Sequence, residues 1–145
     1  MKKRVILLVE DNPAGEMLIL RAFKMSNQDF DTVVTRDGAE ALDYLFSTGN
    51  YKDRKQEDFP VMVLLDLKLP VIDGMEVLRR IRKDSKTKTL PVVIFTTSDN
   101  EQEVAEAYEL GANSYVCKPS TLGALNQTIA DIGRYWGSVN LPMPG

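Results

Sequence analysis

Four short apolar runs in this chain each end in residues able to do chemistry. Residues 5–9 lead into Glu10-Asp11, residues 61–65 into Asp66, residues 92–95 into Thr96-Thr97, and residues 114–117 into Lys118-Pro119. The 145 residues include no histidine and one cysteine, Cys117. Histidine bases, nucleophiles and metal ligands are therefore excluded, and no internal disulfide can form. Chemistry falls to carboxylates, hydroxyls or lysine. An acid such as Asp66 at the edge of a dry run is costly to desolvate unless something compensates its charge. Three acids drawn together repel unless a cation sits between them, and hard oxygen ligands with open positions suit Mg²⁺. An ionised carboxylate can also act as a nucleophile and form an acyl phosphate. Phosphoryl transfer asks for a metal, a positive side chain and in-line positioning. On this reading Asp66 attacks, Asp11 and Glu10 hold the metal, and Lys118 meets the incoming phosphoryl oxygens.

The elements that must bring these residues together follow from hydrophobic period and capping chemistry. Strands are expected over 5–9, 32–35, 61–65, 92–96 and 114–117. Asn12-Pro13 supplies N-cap and first position for a helix to about Asn27. Further helices are expected from Gly38 to about Phe46 and from Gly74 to Asp84. Ser98 and Glu101 read as a capping box opening a fourth helix, which Gly111 closes. A fifth starts near Thr121, with Leu122, Leu125, Ile129, Ile132 and Trp136 on one stripe. The result is β-α five times over. Nearly all-apolar strands suit a parallel sheet covered on both faces, and right-handed crossovers make it doubly wound. Ligand sites in such α/β sheets lie at the carboxyl ends of the strands, where Glu10, Asp11, Asp66, Thr96, Thr97 and Lys118 all fall.

Composition bounds the rest. With 43% hydrophobic and 27% charged residues and a net charge of −3, the chain reads as a globular domain with no general nucleic-acid affinity. The apolar run near the N-terminus is too short for a signal peptide and ends in acids. No segment approaches a membrane span, so a soluble, cytoplasmic protein is expected. Residues 1–138 are read as one domain and 139–145 as a C-terminal extension with no output domain. Residues 49–60 read as a long loop, and the ending from Gly137 as an irregular tail. Taken singly, each feature has a plainer explanation: Asp66 as a turn residue, Glu10-Asp11 as a helix lead-in, Tyr115 as core, Cys117 as filler. The basic run 79–88 suits a helix C-terminus. The conjunction of four loops at one edge is what favours chemistry.

Those stretches resemble the receiver domain of two-component response regulators, over about residues 4–136. "LLVEDN" at 7–12 resembles the family's acidic pair, and "LLDLKLPVIDG" at 64–74 its phosphorylated-aspartate segment. "PVVIFTTS" at 91–98 resembles the strand bearing its hydroxyl, and "SYVCKP" at 114–119 its aromatic and lysine signature. The resemblance implies a flavodoxin-like (βα)5 fold with a parallel five-stranded sheet in order 2-1-3-4-5. It makes Asp66 the phosphoacceptor and Mg²⁺ the cofactor. Asp11, Asp66 and the backbone carbonyl of Lys68 would be ligands, with Glu10 acting through water. Thr96 and Lys118 would bind the phosphoryl group, Thr96 and Tyr115 would be the switch pair, and Pro119 a cis-proline. The phosphoryl donor would be a sensor histidine kinase. The longer 49–60 loop, the lack of an output domain and the "YWGSVNLPMPG" ending resemble single-domain regulators that pair with bacterial phytochromes.

The expected function is a phosphorelay switch whose helix 4–strand 5–helix 5 face signals to an unknown downstream protein. No catalysis is expected beyond its own phosphorylation and dephosphorylation. Apolar Tyr135, Trp136, Leu141 and Met143 would leave exposed surface on a monomer, which makes a homodimer plausible, although Trp136 could equally finish the core. Two rivals fail on charge. An aspartyl-phosphate phosphatase wants a second acid at position 68, which is Lys. A flavin module wants an anion-cradling loop where this chain has acidic "EDNPAG". A receiver that works unphosphorylated would leave every site residue idle.

Overall fold

The computed structural model describes residues 3–144. Five strands, β1 (Arg4–Val9), β2 (Phe30–Thr35), β3 (Met62–Leu65), β4 (Val92–Thr96) and β5 (Ser114–Cys117), form one sheet in order β2-β1-β3-β4-β5. Every pairing is parallel. The helices are α1 (Pro13–Met25), α2 (Gly38–Phe46), α3 (Gly74–Lys83), α4 (Glu101–Glu109) and α5 (Leu122–Arg134). The flavodoxin-like architecture and strand order are those the sequence led us to expect.

The unbroken apolar runs are explained by the two cores they feed. Side chains alternate across a strand, so Leu7, Val9, Val63, Leu65, Val92 and Ile94 pack with α2 and α3. Their neighbours Ile6, Leu8, Met62, Leu64, Val93 and Phe95 pack on the other face with α1 and α5. With helices on both sides, β1, β3 and β4 have no solvent face to keep polar.

Local differences from the sequence reading have identifiable causes. The N-cap of α4 is Asn100, whose side chain accepts from Gln102 N (2.9 Å) and Glu103 N (3.2 Å). Ser98 instead donates to the Glu103 carboxylate at 2.7 Å. Leu122 is 55% exposed. With Thr121 as N-cap it begins the helix on the solvent side, and the buried stripe starts at Leu125. Helical winding continues past Gly137 as a π-turn over Tyr135–Val139, because Arg4 Nη1 donates to the carbonyls of Gly137 (3.1 Å) and Asn140 (3.3 Å). Trp136 packs on the α1–α5 core, whereas Tyr135, Leu141 and Met143 are exposed. Residues 49–60 fold into two 3₁₀ turns. There Arg54 satisfies the C-terminal carbonyls of α2, donating to Tyr44 O at 2.6 Å and Leu45 O at 3.2 Å. The basic run is partly structural, since Arg82 donates to Gly111 O and Leu90 O and ties α3 to the loops that precede β5 and β4. Among the described residues, no helix is long and apolar enough to cross a membrane.

The β3–α3 connection is tightly constrained. A Cβ on Gly74 would lie 2.2 Å from the carbonyl oxygen of Asp66, so only glycine lets α3 start this close to the strand end. Before it, Ile72 N donates to Pro70 O at 2.8 Å across a single intervening residue, and that residue, Val71, has φ +68°. This is a γ-turn of the strained hand, with a β-branched residue in left-handed space. Val71 is 78% exposed, so its side chain contributes little packing. Val71→Asn is expected to raise stability by about 1 kcal/mol, read as a higher urea midpoint. A lower or unchanged midpoint would mean that the turn stores no such strain.

Candidate functional site

Sheet register assembles the site. Val9 is in register with Leu65, and Thr96 with Cys117. The ladder carries on one residue beyond the strands: Asp66 N donates to Val9 O (3.2 Å), Glu10 N to Thr35 O (3.0 Å) and Lys118 N to Thr96 O (2.6 Å). Glu10, Asp66 and Lys118 thus emerge at one edge of the sheet from β1, β3 and β5, no two of which are consecutive in sequence.

Glu10 is 1% exposed and Asp66 9%, while Asp11 is exposed. One carboxylate oxygen from each acid lies within 4.8 Å of the others. Lys118 Nζ bridges two of them, donating to Glu10 Oε1 at 2.6 Å and Asp66 Oδ2 at 3.0 Å. The ammonium also sits 5.8 Å from the Phe95 ring centroid, a favourable face for a cation. Burial is the largest single influence on Lys118 and pulls its pKa down. Hydrogen bonds and charge from Glu10 and Asp66 together outweigh it, and the net shift is upward. The lysine is thereby held as a cation.

A cleft of about 600 Å³ opens over this cluster, with Gly15, Lys68 and Thr97 on its walls. Lys68 N donates to Asp66 Oδ1 at 3.2 Å, which seats that loop against the carboxylate. All-oxygen donors, three acids and an open approach fit a hard divalent cation such as Mg²⁺. Thr96 is 1% exposed, and its hydroxyl is a buried side-chain polar atom with no hydrogen-bond partner among the described residues. A buried hydroxyl left without a partner is unusual enough to require a reason. Tyr115 stands apart from the cleft. Its hydroxyl donates to Ser98 O at 2.9 Å, and its ring packs toward the α2–α3–α4 core.

One expectation is corrected. The structure contains no cis peptide among its described residues, so the Lys118-Pro119 bond is trans. Trans is the intrinsically favoured form of an X–Pro bond. Lys118 is already aligned through its own N–H to Thr96 O, and Thr121 caps α5 two residues on. Gly15 was not singled out from sequence as part of the site. The available signal was a glycine in the first turn of an otherwise sound helix, where it weakens the element.

Removing the Lys118 charge leaves two nearly buried carboxylates uncompensated. Lys118→Met is expected to cost roughly 3 kcal/mol in metal-free buffer. The folded pKa lies above the unfolded value of 10.5, so this contribution is complete below that pH. It is lost as pH rises through the folded value. Urea titrations of wild type and variant should differ at neutral pH and converge in strong alkali; a gap unchanged by alkali would place the effect elsewhere.

With this geometry in hand, known proteins supply the context. The sequence pattern of the response regulator receiver domain matches residues 6–130. The probable methanogenesis regulatory protein FilR2 of Methanothrix harundinacea is 42% identical over 132 residues, 91% of this chain and 83% of FilR2. Response regulator Rcp1 of Synechocystis is 39% identical over 140 residues, 96% of this chain and 93% of Rcp1. The crystal structure of Mn²⁺-bound Rcp1 matches with a TM-score of 0.89 at 37% identity, over 97% of this chain and 99% of that one. That of the phosphorylated cyanobacterial phytochrome response regulator RcpA matches with a TM-score of 0.90 at 38% identity, over 98% and 99%. A parallel sheet ending in an acidic cluster bridged by lysine, and sequence likeness along most of the chain, have one common explanation: the protein belongs to the response regulator receiver family.

Proposed function

We propose that Asp66 accepts a phosphoryl group from the phosphohistidine of a sensor histidine kinase. The observation that carries this reading is the Lys118 ammonium bridging Glu10 and Asp66, one strand from the buried, unpartnered Thr96 hydroxyl. An oxygen of Asp66 forms the new O–P bond while the P–N bond breaks, its electron pair returning to the donor imidazole. No general base is needed, because the nucleophile is already ionised. Asp11, Asp66 and the Lys68 carbonyl would hold Mg²⁺, with Glu10 reaching it through water, and the cation would offset charge on the phosphoryl oxygens.

The product adds a charge of roughly −2 beside Asp66. Lys118 then exchanges a carboxylate for a phosphoryl oxygen, and Thr96 gains the hydrogen-bond partner it lacks. As Thr96 turns toward the phosphoryl group, Tyr115 leaves the Ser98 carbonyl and packs into the space vacated. That repacking changes the face formed by α4, β5 and α5, a local charge event biasing a bistable surface. The donor kinase we favour is a bacterial phytochrome, by likeness to RcpA, and the exchange would take place in the cytoplasm. The message passes by protein–protein contact to a downstream protein, with no nucleic-acid step.

Acetyl phosphate with Mg²⁺ should add one phosphoryl group to the wild type by intact mass, with none on Asp66→Asn and none when the metal is chelated. An adduct that survives Asp66→Asn would move the acceptor elsewhere. We also propose that the chain pairs with a second copy through its tail. There Tyr135, Val139, Leu141 and Met143, on the π-turn and the residues after it, are 46, 52, 85 and 62% exposed, an apolar cluster that a monomer would leave in water. Light scattering should then report a dimer for the wild type and a monomer for Leu141→Ser/Met143→Ser. Equal masses for the two would remove the tail from the interface.

A further inference from the structure

We infer that Gly15 sets the position of the Glu10 carboxylate and keeps the space beside it open for the hydration shell of the bound cation. The inference rests on the reading of the cleft as a receiver metal site.

Gly15 is the third residue of α1, and nothing about the backbone demands glycine there. Its φ is not positive. The Asn12 cap reaches it only through the backbone, with Gly15 N donating to Asn12 Oδ1 at 3.0 Å. Any residue would supply that N–H, and alanine would make a better helix. The reason for glycine lies in what a side chain would meet. A Cβ at this position would stand 3.2 Å from Glu10 Oε1 and 3.3 Å from Glu10 Cδ. That is tight against a carboxylate with nowhere to retreat. Oε1 already holds the Lys118 ammonium at 2.6 Å, Oε2 accepts from Asn12 N at 3.2 Å, and the residue is 1% exposed.

Gly123 is the informative contrast. It too lies in the first turn of a helix, α5, yet a Cβ there would meet nothing within 4 Å. Gly15 also lines the cleft together with the three acids. Mg²⁺ gives up its water reluctantly and keeps several molecules when bound by one or two carboxylates. A carboxylate acting through such a water needs free volume beside its oxygens. A methyl group at position 15 would occupy that volume and crowd the Glu10 carboxylate. The glycine therefore trades helix propensity for room at the metal site.

Gly15→Ala separates this role from a structural one, because the two move different readouts. Calorimetric titration with MgCl₂ should show at least threefold weaker binding than the wild type. The metal-free urea midpoint should be unchanged or higher. Gly123→Ala should bind Mg²⁺ like the wild type. Gly15→Ala binding Mg²⁺ as tightly as the wild type, or weakening only alongside a lowered urea midpoint, would overturn the inference while leaving the metal site intact. Absence of saturable Mg²⁺ binding by the wild type itself would overturn the receiver reading of the cleft, and this inference with it.

Discussion

The ammonium of Lys118, set between Glu10 and Asp66, is the contact on which the functional end of this molecule depends. Two acids that are nearly buried and within a few ångströms of a third would ordinarily drive the strand ends apart. Coulomb repulsion at such range is worth several kcal/mol where the effective dielectric is low. One cation, held by its hydrogen bonds at 2.6 and 3.0 Å, turns that repulsion into cohesion. The arrangement is also provisional. Lysine is a point charge on a flexible stem, so it can surrender either carboxylate to another anion without rearranging the sheet. A buried arginine forked onto the same acids would hold them more rigidly and be harder to redirect.

Everything beneath this contact serves to aim it. Parallel pairing fixes the relative height of β1, β3, β4 and β5, and three backbone hydrogen bonds extend that order past the strands to Glu10, Asp66 and Lys118. The packed cores on both faces make the order stiff, since a register slip would move whole rows of Val, Leu and Ile from one core to the other. The loops add what the strands cannot. The γ-turn at Val71 and the close approach of Gly74 to the Asp66 carbonyl fold the β3–α3 connection back over the strand end. Lys68 is thereby brought to the wall of the cleft.

The β-α alternation was legible because each element obeys its own period and carries its own cap. Asn12 accepts the helix N–H expected of it, and Asp37, Asp73 and Thr121 cap α2, α3 and α5 in the same way. The acids, Thr96 and Lys118 were legible because each directly follows an apolar run, and strand ends in a parallel sheet share an edge. What stayed hidden depends on three-dimensional neighbours. Two good capping residues, Ser98 and Asn100, compete two positions apart, and local rules do not choose between them. Nothing local marks Arg82, one of several cations in its run, as the one whose guanidinium reaches Leu90 and Gly111. The π-turn after α5 rests on Arg4, at the other end of the chain.

The exceptions to local rules fall largely on one side of the molecule. A β-branched residue in left-handed space, a buried hydroxyl without a partner, a glycine inside a helix and a crowd of carboxylates lie on or beside the loops at the carboxyl edge. The caps, the paired carbonyls and most of the apolar cores elsewhere follow expectation. Such clustering is what selection for function produces when stability elsewhere can sustain it. Among the described residues each exception leaves something open: a hydrogen bond for Thr96, a place for a cation among the clustered acids, free volume beside Gly15. On the proposed reading, a divalent cation and a phosphoryl group would supply a charge and a set of acceptor oxygens that complement the first two and fill the third. Energy withheld from the unliganded fold would then be released on binding, and a small, marginally stable domain would thereby let a single covalent event decide between two surfaces.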